Sequence, residues 1–155
     1  MPDSPKKLRL AAGLAMLLFA SPALAEDWRV AITVDSVPEF GRSIGFVDRD
    51  SIARDGNGIR FVYEVRFERA SVDGAAVDAM RMSVRADCAA LWYEIRSIEG
   101  YSGTTLIGRT TPSERLNAEQ GSNIHGILTA ACTDAYESGT VDPAGHARVA
   151  FGRIT

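Results

Sequence analysis

The sequence predicts an α+β fold: a mainly antiparallel β-sheet of about five to six strands, with a C-terminal helix packed on one face and disulfide-linked to the sheet. Three observations predict it. Several runs alternate apolar and polar residues with the period of a half-buried strand. One late run, GSNIHGILTAACTDAYE, changes to helical spacing. The two cysteines, Cys88 and Cys132, fall one on a strand and one on that helix.

Residues 1–25 read as a secretory signal peptide. Lys6, Lys7 and Arg9 form a positive n-region, LRLAAGLAMLLFA carries a short apolar run, and Ala23-Leu24-Ala25 forms an A-x-A cleavage site. The run falls short of the ~20 apolar residues a spanning helix needs, and no second run follows, so no membrane span is expected in the mature chain. Glu26 stands where a lipid-bearing cysteine would have to be. An exported protein is expected, periplasmic or secreted, with surface association left open. The remainder divides into a domain over 26–135 and a C-terminal extension over 136–155, expected as an edge strand or a flexible tail.

Loss of Lys6, Lys7, Arg9 and Asp3 with the signal makes the formal charge of −3 two units more negative. That excludes a nucleic-acid partner, because phosphate neutralisation wants a basic surface. No Lys follows Lys7, so the strong bases of the mature chain are all Arg.

The strands follow in order. DWRVAITVD sets Trp28, Val30, Ile32 and Val34 against Arg29, Ala31, Thr33 and Asp35. GIRFVYEVRFERA turns Ile59, Phe61, Tyr63, Val65 and Phe67 one way, and Arg60, Val62, Glu64, Arg66 and Glu68 the other. MRMSVRADC places Met80, Met82, Val84, Ala86 and Cys88 inward and Arg81, Ser83, Arg85 and Asp87 outward. LWYEIRSIE and GTTLIGRTT are two further strands, Trp92 and Tyr93 lying on opposite faces of the first. RDGNG, SVDG and EGYSG supply turn chemistry between the runs.

In the helical run Ser122 is the expected N-cap, and Ile124, Ile127, Leu128, Ala131, Cys132 and Ala135 follow helical spacing. Gly126 weakens this helix by ~1 kcal/mol relative to Ala. Two cysteines without C-x-x-C spacing, in a chain that leaves the cytosol, predict a structural disulfide. Closing so long a loop stabilises by ~4 kcal/mol in the chain-entropy model. One apolar and one charged sheet face is the pattern of an antiparallel sheet covered by a helix. In the extension, Ala147, Val149 and Phe151 alternate as an edge strand would.

From Trp28 to Cys132 the order of features resembles the surface-adhesin protein E family of exported bacterial proteins. The similar pieces are a Trp soon after the signal, then GFVDRDSIARDGNGIRFVYEVRF, a strand ending in DC, IRSIEGYSG, and a helix that starts near a Ser and closes on a Cys. The resemblance implies a sheet with a disulfide-linked C-terminal helix. It also implies adhesion, the namesake being a surface lipoprotein that binds host extracellular-matrix and serum proteins. This chain departs from the pattern in lacking a lipid-bearing cysteine and in running past Cys132 to Thr155.

The sequence offers little chemistry. It has no G-x-S-x-G and no H-E-x-x-H, GNG lacks the G-K-[ST] of a phosphate loop, and no cofactor or metal is called for. His125 is expected at the helix start and His146 in a tail. Asp48 and Asp50 are read as turn residues capping a short helical turn at Ser51-Ile52-Ala53, and Met80 and Met82 as core filler. The candidate binding patch is Arg60, Arg66, Arg81 and Arg85, on the outward face of two strands that would have to be neighbours. The expected function is a non-enzymatic binding module for a host matrix or cell-envelope protein. The alternative is a periplasmic inhibitor or envelope-interaction protein using a loop at 35–45, with a small secreted enzyme behind both.

Overall fold

The computed structural model describes residues 26–37 and 40–152; the expected signal peptide at 1–25 lies outside the described residues. Seven strands form one antiparallel sheet: β1 (Trp28–Val37), β2 (Gly41–Asp55), β3 (Gly58–Phe67), β6 (Ala79–Asp87), β7 (Trp92–Ser102) and β8 (Thr105–Thr110), in that order, with β9 (Arg115–Asn117) also paired to β7. A small hairpin of β4 (Ser71–Val72) and β5 (Ala75–Ala76) interrupts the path between β3 and β6. Two helices complete the chain, α1 (Asn123–Thr133) and α2 (Pro143–Ala150).

The inner face is the one the alternation marks. Ile59, Phe61, Tyr63, Met82, Val84 and Ala86 are buried there against Ile127, Leu128 and Ala131 of α1. Ser122 caps the helix, its Oγ accepting from His125 N at 3.3 Å. At the other end Asp134 adopts a left-handed φ of 56°, and Arg49 Nε and Nη2 each donate to its carboxylate at 2.8 Å. Arg54 Nη2 donates to Ala131 O at 2.7 Å, satisfying one of the orphan carbonyls of the last turn. Cys88 and Cys132 are disulfide-bonded with Cα atoms 5.7 Å apart, so the helix is bonded to the end of β6.

The other face departs from expectation. The alternation of β1 is broken by a bulge between Val30 and Ile32. Trp28 and Val30 therefore face outward, while Ile32 packs with the inner core. The run 43–48 of β2 is buried throughout, which hides its strand period from a reading of alternation. Trp28, Val30, Ile44 and Phe46 form a second apolar cluster with Ala147 and Phe151 of the C-terminal segment.

Residues 143–150 are thus a helix, not an edge strand or a loose tail. Asp142 caps it, accepting from Gly145 N at 2.9 Å, and Pro143 follows in the first turn. His146, expected in a tail, lies edge-to-face on Phe46 at 5.8 Å between ring centroids. The segment before α2 lies along β1, where Glu137 N donates to Val30 O and Val141 N to Trp28 O. That edge of the sheet is covered.

Candidate functional site

The expected patch divides in two. β3 and β6 are neighbours, and the register sets Glu64 opposite Arg81 and Arg60 opposite Arg85. At the first pair the arginines are committed within the fold. Glu64, only 1% exposed, accepts from Arg66 Nε at 2.6 Å and from Arg81 Nη2 and Nε at 3.0 and 3.2 Å. The Arg81 guanidinium lies 5.1 Å from the Trp28 ring centroid and 6.0 Å from that of Tyr101, with Glu26 Oε1 at 3.5 Å. Burial works against the Arg81 charge, but the hydrogen bonds and attraction of Glu64 outweigh it, and its pKa stands raised. Arg66 and Arg81 therefore hold a buried carboxylate rather than offer a surface. Charge alternation cannot separate them from the other two, because what distinguishes them is which arginine each carboxylate pairs with in the fold.

The second pair is different. Among the described residues neither the Arg60 nor the Arg85 side chain forms an ion pair or hydrogen bond; Arg85 lies over the Trp92 ring at 6.0 Å. Like charges directly opposite on a ladder destabilise it. Glu94, across from Arg85 on β7, is instead taken by Arg96, which occupies a bulge between Ile95 and Ser97. These side chains border an open groove of about 790 Å³ with Ser51, Val62 and Ser83, and Asp55 is the acid in its lining. α2 contributes no residue to this groove. Trp92 stands beside it, with the Arg115 guanidinium 3.9 Å from its ring centroid. The sequence does carry a signal for Arg96, which shares the strand phase of Glu94 and Trp92, two and four residues before it.

The groove wall at Ser51 also corrects an expectation. Residues 51–53 are not a helical turn but part of β2, which bulges between Asp48 and Ala53. Asp48 is buried and accepts from Asp27 N and Asp50 N, both at 3.2 Å; burial pushes its carboxyl up against the pull of those bonds. Ser51 Oγ donates to Asp48 O at 2.6 Å and accepts from Val62 N at 2.8 Å, filling the gap the bulge leaves in the ladder. The expected loop at 35–45 is largely strand, with Val37 paired to Gly41; positions 38 and 39 lie outside the described residues.

Fold and groove together define an α+β domain: an antiparallel sheet with a disulfide-tethered helix on one face and a short helix on part of the other. No protein-family model matches the chain, and no curated protein matches it. Among solved structures it is similar to the crystal structure of protein E from non-typeable Haemophilus influenzae, with a TM-score of 0.40 and 14% identity over 78% of this chain and 88% of that one.

Proposed function

We propose that this chain is an exported, non-enzymatic module that binds another protein through the uncovered part of its outer sheet face. One observation carries the reading: Arg60 and Arg85 stand opposite one another and, among the described residues, neither side chain forms an ion pair, beside a groove to which neither helix contributes a residue. A fold gains nothing from such a pair, whereas a partner's carboxylates would gain bidentate contacts from it. The disulfide fits an oxidising compartment, and no helix among the described residues is long and apolar enough to cross a membrane.

The test is direct binding of the purified mature chain to immobilised envelope proteins and host matrix proteins. Binding to one of them should weaken by about tenfold or more in the Arg60→Glu/Arg85→Glu variant and stay unchanged in Arg109→Ala. Equal binding by the charge-reversed variant sinks this use of the face.

A further inference from the structure

The occupant of the groove is the next question, and its answer rests on the binding-module reading above. We infer that the groove beside Arg60, Arg85 and Arg96 takes an extended acidic peptide segment of the partner, its alternate carboxylates gripped by the guanidinium groups of three neighbouring strands.

The spacing supports this. Arg60 lies on β3, Arg85 on β6 and Arg96 on β7, so the cations step across adjacent strands ~4.8 Å apart. In an extended peptide, side chains i and i+2 share a face and lie ~6.7 Å apart, a separation that long Arg stems bridge readily. Arg96 gives one donor nitrogen to Glu94 and remains 58% exposed in its side chain, leaving further donors for a ligand. Val62 and the hydroxyl of Ser83 in the lining suit the mixed apolar and polar groups between a peptide's acids.

Charge argues against a denser polyanion. The chain is net negative, Asp55 lines the groove and Glu94 stands beside it. A sulfated glycan with anions all along its length would meet those carboxylates, whereas a peptide can place uncharged residues against them. The platform is also braced from beneath. Cys88, three positions beyond Arg85 on the same strand run, is bonded to α1 on the opposite face, and its N–H donates to Asn57 O at 2.8 Å beside β3.

The experiment uses short synthetic peptides in which Glu, or Gln as control, alternates with Thr, titrated into the mature protein and followed by Trp92 emission in a Trp28→Phe background and independently by calorimetry. The Glu peptide should bind with an affinity that falls as salt rises, and the Gln peptide should not. Arg60→Ala/Arg85→Ala should weaken binding about tenfold or more, Arg85→Lys should keep part of it, and Arg109→Ala none of the loss. Thermal melting of each variant confirms that it is folded, and loss of an opposed cation pair should not lower the midpoint. Equal binding of the Glu and Gln peptides, or binding indifferent to Arg60 and Arg85, overturns the inference. So does a heparin oligosaccharide that binds more tightly than the Glu peptide through the same arginines. If the peptides fail while a protein partner still depends on Arg60 and Arg85, the acidic-peptide assignment falls and the binding-module reading stands.

Discussion

Glu64 of β3 faces Arg81 of β6 across the ladder, and a carboxylate almost wholly removed from water is held there by two arginines at once. Removing the carboxylate leaves two part-buried guanidinium groups side by side and uncompensated, which costs more than the cluster gains. Glu64→Gln keeps the shape and loses the charge. It should lower stability by about 2–4 kcal/mol in urea unfolding and shift the emission of Trp28, over whose ring Arg81 lies. A variant as stable as the parent would show that this carboxylate is not what anchors Arg66 and Arg81.

The opposed pair Arg60 and Arg85 leads to the reverse expectation. Arg60→Glu replaces a like-charge contact with Arg85 by an opposite one at the same register position, and on its other side Arg60 faces only Ala53 of β2. The melting temperature should rise by about 2–5 °C, with the gain shrinking at high salt. Binding through the groove should be lost in the same variant. Stability and function pull apart here, as expected where a charge is kept for a ligand rather than for the fold. A fall in melting temperature would mean that Arg60 has a stabilising contact in solution.

How much of this was legible beforehand depended on one-sided burial. β3 and β6 alternate cleanly because one face meets α1 and the other carries charge, so their phase, the inward Cys88 and the outward arginines could all be read from the sequence. β2 could not, because Ile44 and Phe46 are buried on one face while Val47 is buried on the other, leaving no period to see. α2 was missed for a different reason. Ala147, Val149 and Phe151 fit a strand period by chance, while Asp142-Pro143, a capping residue followed by a first-turn proline, was the signal for a helix. The split of the arginines into committed and uncommitted pairs lay beyond the sequence: Arg85 also has an acid opposite it, Glu94, but that carboxylate pairs with Arg96, whereas Glu64 pairs with both Arg66 and Arg81.

Gly45 marks where α1 crosses the sheet. A Cβ built there would lie 3.0 Å from both Ile127 Cδ1 and Ile32 Cγ2, so the helix stands as close to β2 as it does because this residue has no side chain. Gly45→Val should overpack the site and cost about 1–3 kcal/mol, despite the better strand propensity of Val. Chemical denaturation reads this directly. An unchanged or higher midpoint would show that Ile32 and Ile127 move aside freely.

Acid should act at Glu68. Hydrogen bonds from the side chain and backbone N–H of Arg42 hold its carboxyl down to about 2, against an ordinary value of 4.5. The folded pKa lies below the unfolded one, so its contribution is present above about pH 4.5 and is lost as pH falls toward 2. Glu68→Gln should therefore flatten the pH dependence of stability within that window and leave its shape near neutrality unchanged. Superimposable curves for the two proteins between pH 2 and 4.5 would remove Glu68 from the acid response.

The disulfide invites a test that separates tether from glue. α1 is held independently of Cys132 by burial of Ile127, Leu128 and Ala131, by Arg54 on the Ala131 carbonyl and by Arg49 on Asp134. Those contacts persist when the sulfurs are gone, so Cys88→Ser/Cys132→Ser should still fold with α1 on the sheet and keep its helical circular dichroism. What it loses is the restriction on the unfolded chain, about 4 kcal/mol of the ~5–15 kcal/mol a domain possesses. The urea midpoint should fall steeply, and reductant should lower the parent to the same value while leaving the variant unmoved. If the variant instead loses its helical signal under native conditions, the bond is holding α1 in place rather than penalising the unfolded state.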